Sequence, residues 1–203
     1  MMKIGRVFFG KDNKYGILNL LIASVVFFPS TLVGQESVRS YKTVARNETP
    51  NYAEFSPDGK CIAAGVLGAV RVWRSQSNEF KDYPTKLKNE TPAFVRFSSD
   101  GNYIAAGVFG AVRVWELQSN EYRDFPTKLK NETPKYVCFS PAGKHMAAGV
   151  FGAVRVWNVR SGKFADYPTK LRNETPKFVR FSPDGRYIVA GSYGTVRIWE
   201  LAE

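Results

Sequence analysis

The sequence repeats itself every 42 residues. FSPDGKCIAAGVLGAVRVW, from Phe55 to Trp73, returns as FSSDGNYIAAGVFGAVRVW (Phe97–Trp115), FSPAGKHMAAGVFGAVRVW (Phe139–Trp157) and FSPDGRYIVAGSYGTVRIW (Phe181–Trp199). NETP begins at Asn47, Asn89, Asn131 and Asn173, and no insertion or deletion breaks the spacing. A unit of this size cannot bury its apolar face alone and must stack on its neighbours. The period therefore restricts the chain to a solenoid or a propeller.

The pattern inside the unit chooses between them. In the second unit, AFVRF (Ala93–Phe97), YIAAG (Tyr103–Gly107), AVRVWEL (Ala111–Leu117) and EYRDFP (Glu121–Pro126) read as short strands. Gly, Pro, Ser, Asp and Asn fall between these runs, and no helical period appears. In the SPDG turns, Pro suits the second turn position and Gly follows Asp. Four antiparallel strands per unit make a propeller blade. The predicted fold is all-β, with four four-stranded blades at about 47–88, 89–130, 131–172 and 173–203, the last completed by 36–46.

FSPDGK…AAG…VRVW resembles the WD-repeat family of β-propellers, over about residues 37–203. The resemblance implies a structural role for Trp73, Trp115, Trp157 and Trp199, and a non-catalytic interaction platform. Departures accompany it. KLKNETP stands where the family has Gly-His, and VLGA, VFGA or SYGT where it has a turn Asp. Ser192 alone matches the family's network serine. Arg74, Glu116, Asn158 and Glu200 follow the four tryptophans in place of Asp. Joint loss of both members of a buried polar pair is nearly neutral, so an apolar latch is expected.

Shifted by 42, NEFKDYPTKLK (Asn78–Lys88) falls on ESVRSYKTVAR (Glu36–Arg46). The chain thus opens on an outermost strand and reaches a third strand at WELAE. That strand can complete the last blade and cover an otherwise exposed sheet edge. Three readings stay open: a closed four-blade monomer, an eight-blade homodimer formed by N-terminal strand exchange, and an open or truncated arc.

Residues 1–34 differ from the rest. Lys3, Arg6, Lys11 and Lys14 precede an apolar run from Ile17 to Phe28, then PSTLVG. This describes a secretory signal peptide, or an uncleaved anchor tethering the chain through residues 15–35. Both readings place the remainder outside the cytoplasm: secreted, periplasmic or membrane-anchored facing outward. Export disfavours nucleic acid as a partner, although the net charge of +11 suits acidic ones. Cys61 and Cys138 occupy different points of non-adjacent repeats, so they read as packing residues and not as a disulfide.

No catalytic or metal-binding constellation is evident, and no cofactor is expected. His145 aligns with Cys61, Tyr103 and Tyr187, a packing position. Asp58, Asp100 and Asp184 are turn residues, and Ala142 replaces them in the third unit. Asp82, Asp124 and Asp166 lie on separate outer strands and do not converge. Arg71, Arg113, Arg155 and Arg197 are expected to fill the third strand. The candidate binding face is a repeated pair of features. The loops between blades carry Lys86, Lys88, Lys128, Lys130, Lys170 and Arg172. The turns between second and third strands carry Leu67, Phe109, Phe151 and Tyr193. The face suits a protein or other acidic partner. A carbohydrate or acidic ligand, stacked on the aromatics with its anionic group on lysine, is the alternative.

Overall fold

The computed structural model describes residues 39–43, 50, 52–171, 173–192 and 194–201. Contacts divide the chain into Met1–Arg39 and Ser40–Glu203. The leader or anchor expected over 1–34 lies outside the described residues. Among them, the second unit forms four antiparallel sheets and no helix. Blade 1 is β1 (Ala53–Phe55), β2 (Cys61–Val66), β3 (Ala69–Arg74) and β4 (Phe80–Pro84). Blade 2 is β5 (Val95–Phe97), β6 (Tyr103–Val108), β7 (Ala111–Glu116) and β8 (Tyr122–Pro126). Blade 3 is β9 (Val137–Phe139), β10 (His145–Val150), β11 (Ala153–Asn158) and β12 (Phe164–Pro168). Blade 4 is β13 (Val179–Phe181), β14 (Tyr187–Ser192) and β15 (Thr195–Glu200). The expected four-blade, all-β architecture is observed.

Register repeats with the sequence. Trp73 pairs with Ile62, Trp115 with Ile104, Trp157 with Met146 and Trp199 with Ile188. Each Ser-Pro-Asp-Gly turn closes the same way. The Ser56 hydroxyl donates to Asp58 at 2.6 Å and accepts from the Cys61 amide at 2.9 Å. Those hydrogen bonds hold the Asp58, Asp100 and Asp184 carboxyls below their ordinary range, the serine hydroxyl being the main cause. Where Ala142 replaces the aspartate, Ser140 still accepts from the His145 amide at 3.0 Å.

The core lies between the blades. Val70, Val72 and Tyr83 of blade 1 pack against Val95, Phe97, Ile104 and Trp115 of blade 2. Corresponding residues form the next two junctions. The alanines and glycine of IAAG permit the close approach. A Cβ on Gly65, Gly107 or Gly149 would sit well inside contact distance of the carbonyl oxygen of Pro92, Pro134 or Pro176 of the next blade.

The third-strand arginines fasten the seams as well as filling the strand. Arg71 grips Asp82, its cross-strand partner, with Nε and Nη2 both at 2.6 Å. Arg113 and Arg155 hold Asp124 and Asp166 in the same way. Phe80, Tyr122 and Phe164 lie 3.8, 3.9 and 3.8 Å from the three guanidinium carbons. Nη1 then crosses the seam: Arg113 donates to the Pro84 carbonyl and Arg155 to the Pro126 carbonyl, each at 3.2 Å.

Blade 4 has three strands among the described residues, and its completion by the N-terminal strand is not shown. Residues 40–43 lie instead along blade 1. The Tyr41 ring sits 6.0 Å from Trp73 and its hydroxyl donates to the Ser75 carbonyl at 2.7 Å.

Candidate functional site

The loop after each fourth strand and the turn after each second strand are hydrogen-bonded together. The Gly68 amide donates to the Glu90 carbonyl at 2.7 Å, and the Thr85 amide to the Gly68 carbonyl at 3.0 Å. Gly110 with Glu132 and Thr127, and Gly152 with Glu174 and Thr169, repeat this within a tenth of an ångström. Thr85, Thr127 and Thr169 also turn their hydroxyls onto the carbonyls of Leu87, Leu129 and Leu171. A buried threonine thus shapes each Lys-Leu-Lys or Lys-Leu-Arg tip identically.

These bonds place the two sets of predicted residues at one end of the blades. Lys86, Lys88, Lys128, Lys130 and Lys170 are exposed. Phe109 and Leu67 are exposed and Phe151 is half-buried. Arg172, Tyr193 and Arg46 lie outside the described residues, as does the side chain of Ser192. Leu87, Leu129 and Leu171 were missed by the sequence reading, and each is about as exposed as Leu67, at 40–42%. Their signal is an apolar residue between two cations three times over.

A second missed group is acidic. Glu90 and Glu132, from NETP, are half-buried behind the loop tips. Burial, the larger cause, pushes both carboxyls above their ordinary range, against opposing amide donors that include Phe109 for Glu90 and Phe151 for Glu132. One oxygen of each, Oε2, is buried with no hydrogen-bond partner among the described residues. Each glutamate is thus a carboxylate latch between blades, tied to the turn of its own blade by the side chain and to the preceding turn by its carbonyl.

The innermost strands carry a third group. Tyr52, Phe94 and Tyr136 form a ladder with ring centroids 4.3 and 4.6 Å apart. Arg96 inserts beside it, paired to Glu54 and donating to the Tyr136 hydroxyl. Arg180 lies 4.9 Å from the Tyr136 ring and is exposed. The residue three before Phe55, Phe97, Phe139 and Phe181 is aromatic in every copy (Tyr52, Phe94, Tyr136 and Phe178), a repeated signal that the sequence reading missed.

The remaining sequence candidates are structural. Asp82, Asp124 and Asp166 are each bound to their own arginine. His145 is half-buried at the edge of β10. Cys61 and Cys138 are free thiols, and burial pushes Cys138 up to about 12. No group of metal-ligating side chains occurs among the described residues.

Residues 175–200, the fourth unit, match the family model described as WD domain, G-beta repeat. The solved structure of U3-55K, a WD-repeat propeller protein, superposes with TM-score 0.63 at 17% identity. The fourth unit is similar to a WD repeat, and the blades share the propeller fold. That superposition covers 78% of this chain and 50% of the other, so the chain spans about half the length of the U3-55K chain it matches. No curated protein matches the sequence. Among the described residues, blades 2 and 3 lack a polar partner for the tryptophan. The Trp115 and Trp157 rings are fully buried, and their indole N–H groups have no partner among the described residues.

Proposed function

We propose that the protein is an exported, non-catalytic WD-type scaffold that binds an acidic protein partner through the loop end of its blades. WD-repeat propellers generally bind protein partners. The observation that carries the reading is the threefold repetition of one rigid presentation. Two copies set two exposed lysines around an exposed leucine, and the third sets exposed Lys170 beside exposed Leu171, each next to an apolar or aromatic turn residue. Hydrogen-bonded loops lose little conformational entropy on binding. Apolar centres rimmed by cations suit a partner segment that alternates acidic and hydrophobic residues. Lys86, Lys88, Lys128, Lys130, Lys170 and Arg172 supply the charge, and Phe109, Phe151 and Tyr193 the apolar contact. Export follows from the leader-like first 34 residues and is tested by fractionating cells that express the full chain.

Binding is tested with a fluorescent acidic peptide containing leucines and, separately, a sulfated oligosaccharide. Lys128→Glu with Lys170→Glu is expected to weaken the peptide at least tenfold. Phe109→Ala with Phe151→Ala is expected to weaken it severalfold at every salt concentration. If neither pair changes binding of either probe, the loop end is not the site. Loss of only the oligosaccharide would move the reading to a carbohydrate-binding propeller.

A further inference from the structure

The seams between blades 1 and 2, 2 and 3, and 3 and 4 are built from the same parts, and each half-seam left over at the ends of the arc is complementary to the other. On blade 4, Val196 and Ile198 stand 42-residue multiples from Val70, Val112 and Val154 and from Val72, Val114 and Val156. The six earlier residues are at most 8% exposed, whereas Val196 is 69% and Ile198 68% exposed. On blade 1, Phe55 is 62% exposed where Phe97 is 8%. The ring ladder stops in the same way. Phe178, next after Tyr136, is exposed, and the residue that would follow it in the repeat is Tyr52. Arg180 beside Phe178 is an exposed cation, and Glu54 on blade 1 is the carboxylate at the equivalent position.

The N-terminal segment already occupies one side of a fourth seam. Arg71 Nη1 donates to the Lys42 carbonyl as Arg113 does to Pro84 and Arg155 to Pro126. Tyr41 meets Trp73 and the Ser75 carbonyl as Tyr83 meets Trp115 and the Leu117 carbonyl. Residues 40–43 therefore lie where the outermost strand of a preceding blade belongs, while β15 has no such strand among the described residues.

A single seam geometry, used three times, fixes the turn per blade. Four blades at that turn leave the end faces of one chain uncovered. The superposition on U3-55K takes in 50% of that chain. We propose that two copies of this chain join head to tail into one ring of twice four blades. Blade 4 of each copy seats on blade 1 of the other, and residues 40–43 of each lie along β15 of its partner. A two-fold axis makes both seams identical and leaves no open end. The arrangement also covers the exposed edge of β15 and its apolar face together.

One feature sets this seam apart. Ser40 falls where Asp82, Asp124 and Asp166 stand, and Arg197 has no carboxylate partner among the described residues. The copy-to-copy seam thus lacks the ion pair that the internal seams have, and restoring it should tighten association.

The test is sedimentation equilibrium of the full chain at several concentrations. The expected mass is twice the 22.8 kDa of one chain. Ile198→Lys and Phe55→Lys are each expected to give monomers with an unchanged far-ultraviolet strand signal, because both positions are exposed in the single chain. Ser40→Asp is expected to lower the dissociation constant about tenfold, as a buried, hydrogen-bonded charge pair does. A monomer at all concentrations overturns the proposal. So does a dimer indifferent to Ile198→Lys and Phe55→Lys, or an assembly that grows without limit with concentration. None of these readouts depends on the acidic-partner probe.

Discussion

The seams between blades 1 and 2 and between blades 2 and 3 each turn on one arginine held by a carboxylate, an aromatic face and a carbonyl of the neighbouring blade. Arg113 has a side chain 6% exposed, against 31% for Asp124. Removing the carboxylate leaves a buried guanidinium without its counter-ion. Asp124→Asn is therefore expected to cost about 2 kcal/mol, below the roughly 3–5 kcal/mol of a fully buried pair because the carboxylate is partly solvated. Urea unfolding should show it as a lower midpoint at unchanged slope. The latch glutamates act in the opposite sense with pH. Their raised pKa values mean that the folded state binds protons more readily than the unfolded one. Stability from Glu90 and Glu132 then rises as pH falls through their folded pKa values, and is complete below the unfolded ones. Asp58, Asp100 and Asp184 have lowered values, so their contribution is lost as pH falls below the ordinary aspartate range. Thermal melts should peak on the acid side of neutrality. Glu90→Gln with Glu132→Gln should flatten the gain on the acid side of neutrality while leaving the loss at still lower pH unchanged.

At the scale of the strand, the small residues of IAAG matter because the neighbouring blade comes so close. Gly107 has no room for a Cβ, since Pro134 presents backbone there and not a flexible side-chain end. Gly107→Ala is expected to cost at least about 3 kcal/mol, the top of the overpacking range, since the seam must open to admit it. Gly191 is the internal control. Its neighbour is the Phe178 ring, which can swing away because it is exposed. Gly191→Ala should therefore cost the single chain much less, which parallel chemical melts would reveal.

At the scale of the molecule, stability and assembly are coupled. A seam between copies binds only folded blades, so the melting temperature should rise with protein concentration in the wild type. In Ile198→Lys it should not. The net charge of +11 adds a second dependence. Binding of an acidic partner to exposed lysines should weaken steeply as salt rises, and the leucine and phenylalanine contacts should set what remains at high salt.

How much of this was legible in one chain of letters follows from how repetition works. A 42-residue period with glycines and prolines at constant offsets determined the strands, their register and the blade as the unit, because every copy reports the same backbone constraints. It also determined that Lys86 and Phe109 recur together, and that Asp124 repeats on separate blades and forms no catalytic pair. What the copies share, however, conceals what joins them. Only the tertiary structure showed that Arg113 ties Asp124 to the Pro84 carbonyl, that Glu90 is the latch and that Leu129 shares the tip with Lys128 and Lys130. Those contacts span 11 to 29 residues or lie between side chains whose burial no letter records. Seam geometry sets the curvature of the arc, and curvature decided that Val196 and Ile198 end it uncovered.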